Sequence, residues 1–365
     1  MKIIQILPEL NSGGVERGTL EVAAHLVKHG HEAIVISNGG RLVTALEASG
    51  ARHVTMPVHR KSLATLLQVM PLRKFLTREK PDIIHIRSRV PGWIAWLAWR
   101  GMDPATRPRL VSTVHGFYSV NAYSAVMTKG ERVIAVSDSI RKYILNNYPK
   151  TAAEKITVIH RGVDPGLFPK DYRPSEKWMS AWRTAYPELQ GRKTLLLPAR
   201  ITRWKGQMDF LQVVSGLIAA GEDVHGLIAG ETHRAKTTFE NELREHAGQL
   251  GISDRVTFLG HRSDLKEVMA VSDVVLSLSL DPEAFGRVTL EAAALGKPVV
   301  AYDHGGVAEQ LQSFFPDGLV PVGDVPEIIK RITRLLAPDH PSPGPIDEFT
   351  LENMLGKTTS LYESL

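Results

Sequence analysis

Lys2-Ile3-Ile4-Gln5-Ile6-Leu7 is a short apolar run that stops at Pro8, and Asn11-Ser12-Gly13-Gly14-Val15 leads from it into a stretch that ends at His29-Gly30. The run reads as a buried strand and Val15–His29 as an amphipathic helix. The paired glycines between them allow a tight turn and a close approach of backbone to a ligand. The same strand-then-helix pattern repeats outward from this unit. Strands are predicted at His31–Ser37, Arg52–Met56, Asp82–Ile86, Leu110–Val114, Arg132–Val136 and Ile156–Ile159. Helices are predicted at Leu42–Ala48, Leu63–Arg78, Gly92–Arg100 and Ser139–Asn147. Short apolar strands alternating with helices predict an α/β fold with a parallel sheet covered on both faces.

The stretch Asp164–Pro187 breaks the pattern with Pro165, Gly166, Pro169, Pro174 and Pro187. It reads as a domain connection holding one short helix around Glu176–Thr184. The alternation then restarts, with strands at Thr194–Pro198, Val224–Ala229, Val256–Leu259, Val274–Ser277 and Pro298–Ala301. Helices are predicted at Gly206–Ala220, Lys236–Leu250, Leu265–Ala270, Gly286–Ala294 and Val325–Leu336, and a last one at Glu348–Ser364 follows a proline-rich break. A chain of 365 residues exceeds the roughly 250–300 that one core supports. Two Rossmann-like domains are expected, at 1–165 and 166–345, with residues 346–365 as a helix crossing back to the first. In such sheets ligands bind beyond the carboxyl ends of the strands, so two in tandem predict a cleft between the domains.

Composition narrows the functions. Apolar residues at 43% and charged residues at 23% exclude a chain disordered throughout. The absence of cysteine excludes disulfides, thiolate metal sites and a cysteine nucleophile. The net charge of +5 hides an asymmetry: residues 1–190 hold 27 Lys and Arg against 15 Asp and Glu, and residues 191–365 hold 17 against 24. A basic first half suggests an anionic partner, such as phospholipid head groups, a phosphorylated glycolipid or nucleic acid. No aromatic-basic module such as an RNP motif supports nucleic acid. Arg60, Lys61, Arg73, Lys74, Arg78 and Lys80 bracket Leu63, Leu66, Leu67, Met70 and Leu72, the pattern of a basic amphipathic helix that lies on an anionic bilayer or simply covers a sheet. No export signal opens the sequence and no run approaches the ~20 apolar residues of a membrane span. The expected location is cytoplasmic, with any membrane contact peripheral. His25, His29 and His31 lack the H-E-x-x-H spacing, and no metal site is expected.

Three loops carry candidate chemistry. Gly13 and Gly14 open the first helix, where backbone amides favour anions. Arg200 and Lys205, after the first strand of the second half, suggest a diphosphate clamp beside a helix start. Glu283-Ala284-Phe285-Gly286-Arg287 enters a helix that carries Glu291, and an acid on that Ala- and Leu-rich helix must reach solvent or a ligand.

Together these segments resemble the retaining glycosyltransferases of family 4, which have the GT-B fold. Pro81-Asp82-Ile83-Ile84-His85-Ile86, Thr113-Val114-His115-Gly116, Val136-Ser137-Asp138, Gly162-Val163-Asp164, the run Glu291–Ala301 and His304–Glu309 extend the resemblance from residue 1 to about residue 336. The resemblance implies that Arg200 and Lys205 hold the diphosphate of a nucleoside-diphosphate sugar. It implies that Glu291 bonds the ribose and Glu283 the sugar hydroxyls, and that the backbone of Phe285, Gly286 and Arg287 approaches sugar and phosphates. Gly13 and Gly14 would approach the diphosphate from the opposite wall, and His115 would line the anomeric centre. It implies no cofactor beyond the donor substrate, and no metal. Two positions depart from the family pattern: Arg161 replaces an Asn, and Arg87-Ser88-Arg89 replaces a second histidine. Arg87 and Arg89 are expected to meet an acidic or phosphorylated acceptor.

The activity implied is transfer of a sugar to a hydroxyl of a cell-envelope glycan, and the segment Arg87–Trp93 with its basic domain is most similar to lipopolysaccharide core enzymes. An exopolysaccharide or phospholipid acceptor, a GT-B sugar-nucleotide epimerase and a non-enzymatic nucleotide-sugar-binding subunit stay open as alternatives.

Overall fold

The computed structural model describes residues 1–11, 13–231 and 238–365. Ser12 of the glycine loop and the expected helix start at Lys236 lie outside the described residues. The chain forms two compact units, one of residues 1–161 with 352–365 and one of residues 162–351.

The first unit contains β1 (Lys2–Ile6), α1 (Gly14–Lys28), β2 (Glu32–Ser37), α2 (Val43–Ala48), β3 (Arg52–Thr55), α3 (Val69–Glu79), β4 (Ile83–Ile86), α4 (Arg89–Arg100), β5 (Arg109–Val114), β6 (Arg132–Ala135), α5 (Asp138–Asn147) and β7 (Ile156–Val158). The strands form one sheet in the order β3-β2-β1-β4-β5-β6-β7, and every pair is parallel. Ile3, Ile4 and Ile6 of β1 and Ile84 and Ile86 of β4 are fully buried, as expected for central strands covered on both faces.

The second unit contains α6 (Glu176–Ala185), β8 (Lys193–Pro198), α7 (Gln207–Ala219), β9 (Val224–Ala229), α8 (Thr238–Gln249), β10 (Val256–Gly260), α9 (Leu265–Val271), β11 (Val274–Ser277), α10 (Arg287–Ala294), β12 (Val299–Tyr302), α11 (Gly305–Phe314), β13 (Leu319–Val320) and α12 (Val325–Leu335). Its parallel sheet runs β10-β9-β8-β11-β12-β13.

In both sheets the strand order reverses beside the first strand, between β1 and β4 and between β8 and β11. At such a reversal the connections diverge to opposite faces and leave a crevice beyond the carboxyl ends of the strands. The loops that border these two crevices are β1–α1 with β4–α4, and β8–α7 with β11–α10.

The last helix, α13 (Leu351–Glu363), places most of its residues in the first unit. Its Tyr362 hydroxyl bonds His85 Nδ1 at 2.6 Å, and His85 Nε2 bonds Thr113 Oγ1 at 2.6 Å. One buried imidazole thus ties the terminal helix to β4 and β5.

Three local details differ from the sequence-based expectation. The expected helix over residues 63–78 begins as a 3-10 turn at Leu63–Gln68, and α3 follows from Val69. Pro71 falls in the first turn of α3, where no helical N–H is needed. Helix α4 begins at Arg89 rather than Gly92, so Arg89 is helical. Helix α11 and strand β13 add to the expected elements.

Candidate active site

In the second unit the site is built by two loops and one supporting helix. Strand β8 ends at Pro198, and the chain turns through Gly206 before α7. Gly206 has φ +73°, and a Cβ there would lie 1.9 Å from the Leu278 carbonyl oxygen. Only glycine allows the two loops to approach so closely. The second loop, after β11, is gripped by the start of α11. Gly306 N–H donates to Glu283 O at 2.8 Å, His304 Nε2 bonds Ser279 O at 2.7 Å, and the Gln310 amide donates to Phe285 O.

These supports gather Lys205, Glu283 and the start of α10 around a cavity of about 90 Å³, lined also by Ala199, Ser279 and Arg287. Lys205 Nζ donates to Glu283 Oε1 at 2.7 Å, and Ser279 Oγ donates to the same oxygen at 2.5 Å. The ammonium also sits 4.2 Å over the Trp204 ring. Gly286, with φ +88°, caps α10, and a Cβ there would strike Val307 at 2.3 Å. The first residues of α10, Arg287 to Thr289, line the cavity with Gly286.

Glu291 is buried, at 8% exposure, so the exposed-helix-face reading of this acid does not apply. Its carboxylate lies 3.9 Å from Arg287 Nε, one turn earlier. Phe285 is buried at 5% and its ring lies 6.1 Å from that of Phe349. Arg200 stands apart from this group. It is exposed and absent from the cavity lining, and its described contact is the backbone carbonyl that accepts from Gln207 Nε2 at 2.9 Å. The two cations of the expected clamp are thus in different settings: Lys205 is held by a carboxylate and Arg200 is exposed.

In the first unit, Gly13 has φ +142° and is followed directly by α1 at Gly14, and both glycines are exposed. His115 follows β5. Arg161 Nη2 donates to His115 Nδ1 at 2.5 Å. A guanidinium has only donors, so Nδ1 must be the acceptor and the ring hydrogen sits on Nε2. Burial, and then the charges of Arg161 and Arg87, hold the His115 pKa well below the usual histidine range. The ring is therefore a neutral hydrogen-bond donor, not a proton acceptor, and its buried Nε2 has no partner among the described residues.

Arg87, directly after β4, is 2% exposed, and its Nε and Nη2 have no hydrogen-bond partner among the described residues. Arg89 is differently placed. It lies 4.6 Å over the Tyr118 ring and 5.5 Å from that of Tyr123, and donates to Ser124 Oγ at 3.3 Å. The structure joins Arg87 to Arg161 rather than to Arg89: a Cβ on Gly18 would lie 3.1 Å from Arg161 Nη1 and 3.2 Å from Arg87 Nη2. Sequence reading noted Arg161 only as a departure from a pattern. It could not find the Arg161–His115 bond, which joins residues 46 apart.

The sequence profile of Glycosyltransferase Family 4 matches residues 12–167, and that of Glycosyl transferases group 1 matches residues 179–343. The chain belongs to the family 4 glycosyltransferases. This glycosyltransferase is 27% identical over 322 residues to Spore coat protein SA of Bacillus subtilis, covering 82% of this chain and 79% of the relative. A solved glycosyltransferase from Rickettsia africae superposes with a TM-score of 0.86 and 29% identity, over 100% of this chain and 98% of that one. The Anabaena protein HepE, solved with UDP and glucose, superposes with a TM-score of 0.81 at 22% identity over the full length of both chains. These likenesses give the enzyme the GT-B fold of two Rossmann-like domains.

Proposed function

We propose that this glycosyltransferase acts with retention and without metal, moving a sugar from a nucleoside-diphosphate sugar to a hydroxyl of a cell-envelope glycan, lipopolysaccharide core in particular. The observation that carries the reading is the Lys205–Glu283 contact beside the Gly286 start of α10, at the strand-order reversal of the second sheet. An arriving diphosphate offers Lys205 a stronger counter-charge than Glu283 does. Release of Lys205 leaves the Glu283 carboxylate for the sugar hydroxyls, and the first amides of α10 take further phosphate oxygens. Arg200, exposed and long, closes on the diphosphate from solvent, and Glu291 takes the ribose.

Breaking the anomeric bond concentrates negative charge on the departing diphosphate. Fixed cations and amides stabilise that charge and supply most of what this reaction needs. The neutral His115 offers Nε2–H to a substrate oxygen and does not act as the base. In the retaining reading, the leaving phosphate oxygen receives the acceptor proton.

The proposed place of work is the cytoplasmic face of a membrane. Leu63, Leu67 and Met70 are 85%, 73% and 52% exposed, within one segment flanked by Arg60, Lys61 and Lys74. Leu72 and Leu76 of the same segment face the core, so these exposed residues are surplus to packing. Basic and apolar residues together suit an anionic lipid surface, and no helix among the described residues is long and apolar enough to cross a membrane.

The reading is tested by a thermal-shift panel of nucleotide sugars followed by turnover with the stabilising donor, since a ligand raises apparent stability by mass action. One donor is expected to raise the melting temperature clearly above the rest. A flat response to every nucleotide sugar would defeat the reading.

A further inference from the structure

Arg87 and Arg161, which the donor chemistry leaves unused, form a group with His115, whose Nε2–H the proposed function gives to a substrate oxygen without naming it. Arg87 and Arg161 are 2% and 8% exposed. Burying a guanidinium is costly unless a counter-charge or hydrogen bonds compensate it. Arg87 makes no ion pair with any described residue, and two of its nitrogens lack any hydrogen-bond partner. The acid whose charge acts on Arg87 is Glu21 on α1, which also pairs with Arg17 at 3.2 Å and makes no hydrogen bond or ion pair with Arg87. His115 Nε2, fixed as a donor by Arg161, is a third buried nitrogen without a partner. All three orphan atoms are donors.

The backbone makes room for this group. Gly18 on α1 lets both guanidiniums approach within 3.2 Å of the point where a Cβ would sit. Arg87 leaves the carboxyl end of β4 beside β1, where this fold class binds its ligands.

We propose that Arg87, Arg161 and His115 build an oxyanion site that takes the phosphate or carboxylate of the acceptor molecule. The proposal deepens the transferase reading and rests on it. The planar fork of Arg87 suits two oxygens of one acid group, and the anion takes the two nitrogens that Glu21 leaves without a hydrogen bond. The acceptor class is therefore an acidic or phosphorylated glycan or glycolipid.

The donor's own phosphates are the other source of the same chemistry, and the experiment separates the two. Inorganic phosphate is titrated by calorimetry into the full chain, first saturated with whichever of UDP, GDP and ADP binds. The wild type is expected to bind phosphate under these conditions. Arg87→Met is expected to weaken that binding at least about tenfold, to leave nucleotide affinity within about twofold, and to melt no lower than the wild type, because an unpaired buried charge has been removed. Arg87→Lys keeps a cation and guards against misfolding, and should weaken phosphate severalfold through loss of the fork.

Phosphate binding indifferent to Arg87, or absent altogether, would overturn the proposal. So would an equal loss of nucleotide affinity in Arg87→Met, which would give the crevice to the donor. A lower melting temperature in both variants would make Arg87 a structural residue. Should nucleotide binding prove indifferent to Lys205 while phosphate binding still requires Arg87, the donor reading fails and the oxyanion site stands.

Discussion

The two sheets of this glycosyltransferase follow one plan and place opposite electrostatics at the same point of it. At the strand-order reversal of the second sheet, Lys205 meets Glu283 at 2.7 Å, a cation already matched to an anion. At the reversal of the first sheet, Arg87 and Arg161 are buried together and His115 is turned into one more donor. In the proposed function the matched pair acts as a switch, in which an incoming diphosphate takes the cation and frees the carboxylate for sugar hydroxyls. In the first group Arg87 keeps two buried nitrogens without a hydrogen bond among the described residues, and in the proposed oxyanion site an anion takes them. The lesson is that topology chooses where a ligand can bind, while the charge balance at that place chooses which part of the substrate it is.

The largest expected effect breaks the second region. Lys205→Ala should lower kcat/KM by about 10²–10³-fold, the usual cost of removing one preorganised charge from a developing anion. Its melting temperature should change little, because Glu283 keeps Ser279 as a partner. Steady-state kinetics with the identified donor, beside a thermal melt, checks both parts, and near-normal turnover would contradict the switch. Glu291→Ala should weaken free nucleotide about tenfold in calorimetry, with a smaller effect on kcat than on KM. An equal fall in kcat and kcat/KM would place Glu291 at the reacting atoms and not at the ribose.

Smaller effects sharpen the contrast in the first unit. Leu63→Gln with Leu67→Gln should reduce sedimentation with vesicles of one-third anionic lipid severalfold, and leave turnover on a soluble acceptor unchanged. Unaltered sedimentation would remove the membrane surface from the account. EDTA should leave activity intact. The pH effect is the smallest. Burial and the adjoining guanidiniums depress the folded pKa of both His85 and His115. The unfolded chain therefore takes up protons that the folded chain refuses. Stability is complete above the unfolded histidine value of about 6.5 and falls as pH drops below it, by up to about 1.4 kcal/mol per pH unit for each such group. Urea melts from pH 7.5 to 5.5 should show this slope, reduced in His115→Asn.

Much of the plan was legible in the sequence, for identifiable reasons. The runs Lys2–Ile6 and Val224–Ala229 are short, apolar and bounded by turn residues, and each is a strand within a residue of its expected limits. Gly206 and Gly286 mark the loops of the second site because a backbone approach there forbids a side chain. Helix α11 was not legible. Gly305-Gly306 carries no helix-start signal of its own, yet those glycines let the helix start press against residues 283–285. Strand β13 has two residues and no pattern to detect. Within the site, residue types could nominate Lys205 and Glu283 but not their bond to each other, which spans 78 positions. Arg87 was noticed for its charge. Its burial and its neighbour Arg161 follow only from the meeting of β4, α1 and the end of β7.

The most direct test of the central claim is calorimetry of the free nucleoside diphosphate with wild type, Lys205→Ala and Arg87→Met side by side. A matched donor site in the second unit predicts a loss of at least about tenfold in Lys205→Ala and none in Arg87→Met. Undiminished affinity in Lys205→Ala would contradict it.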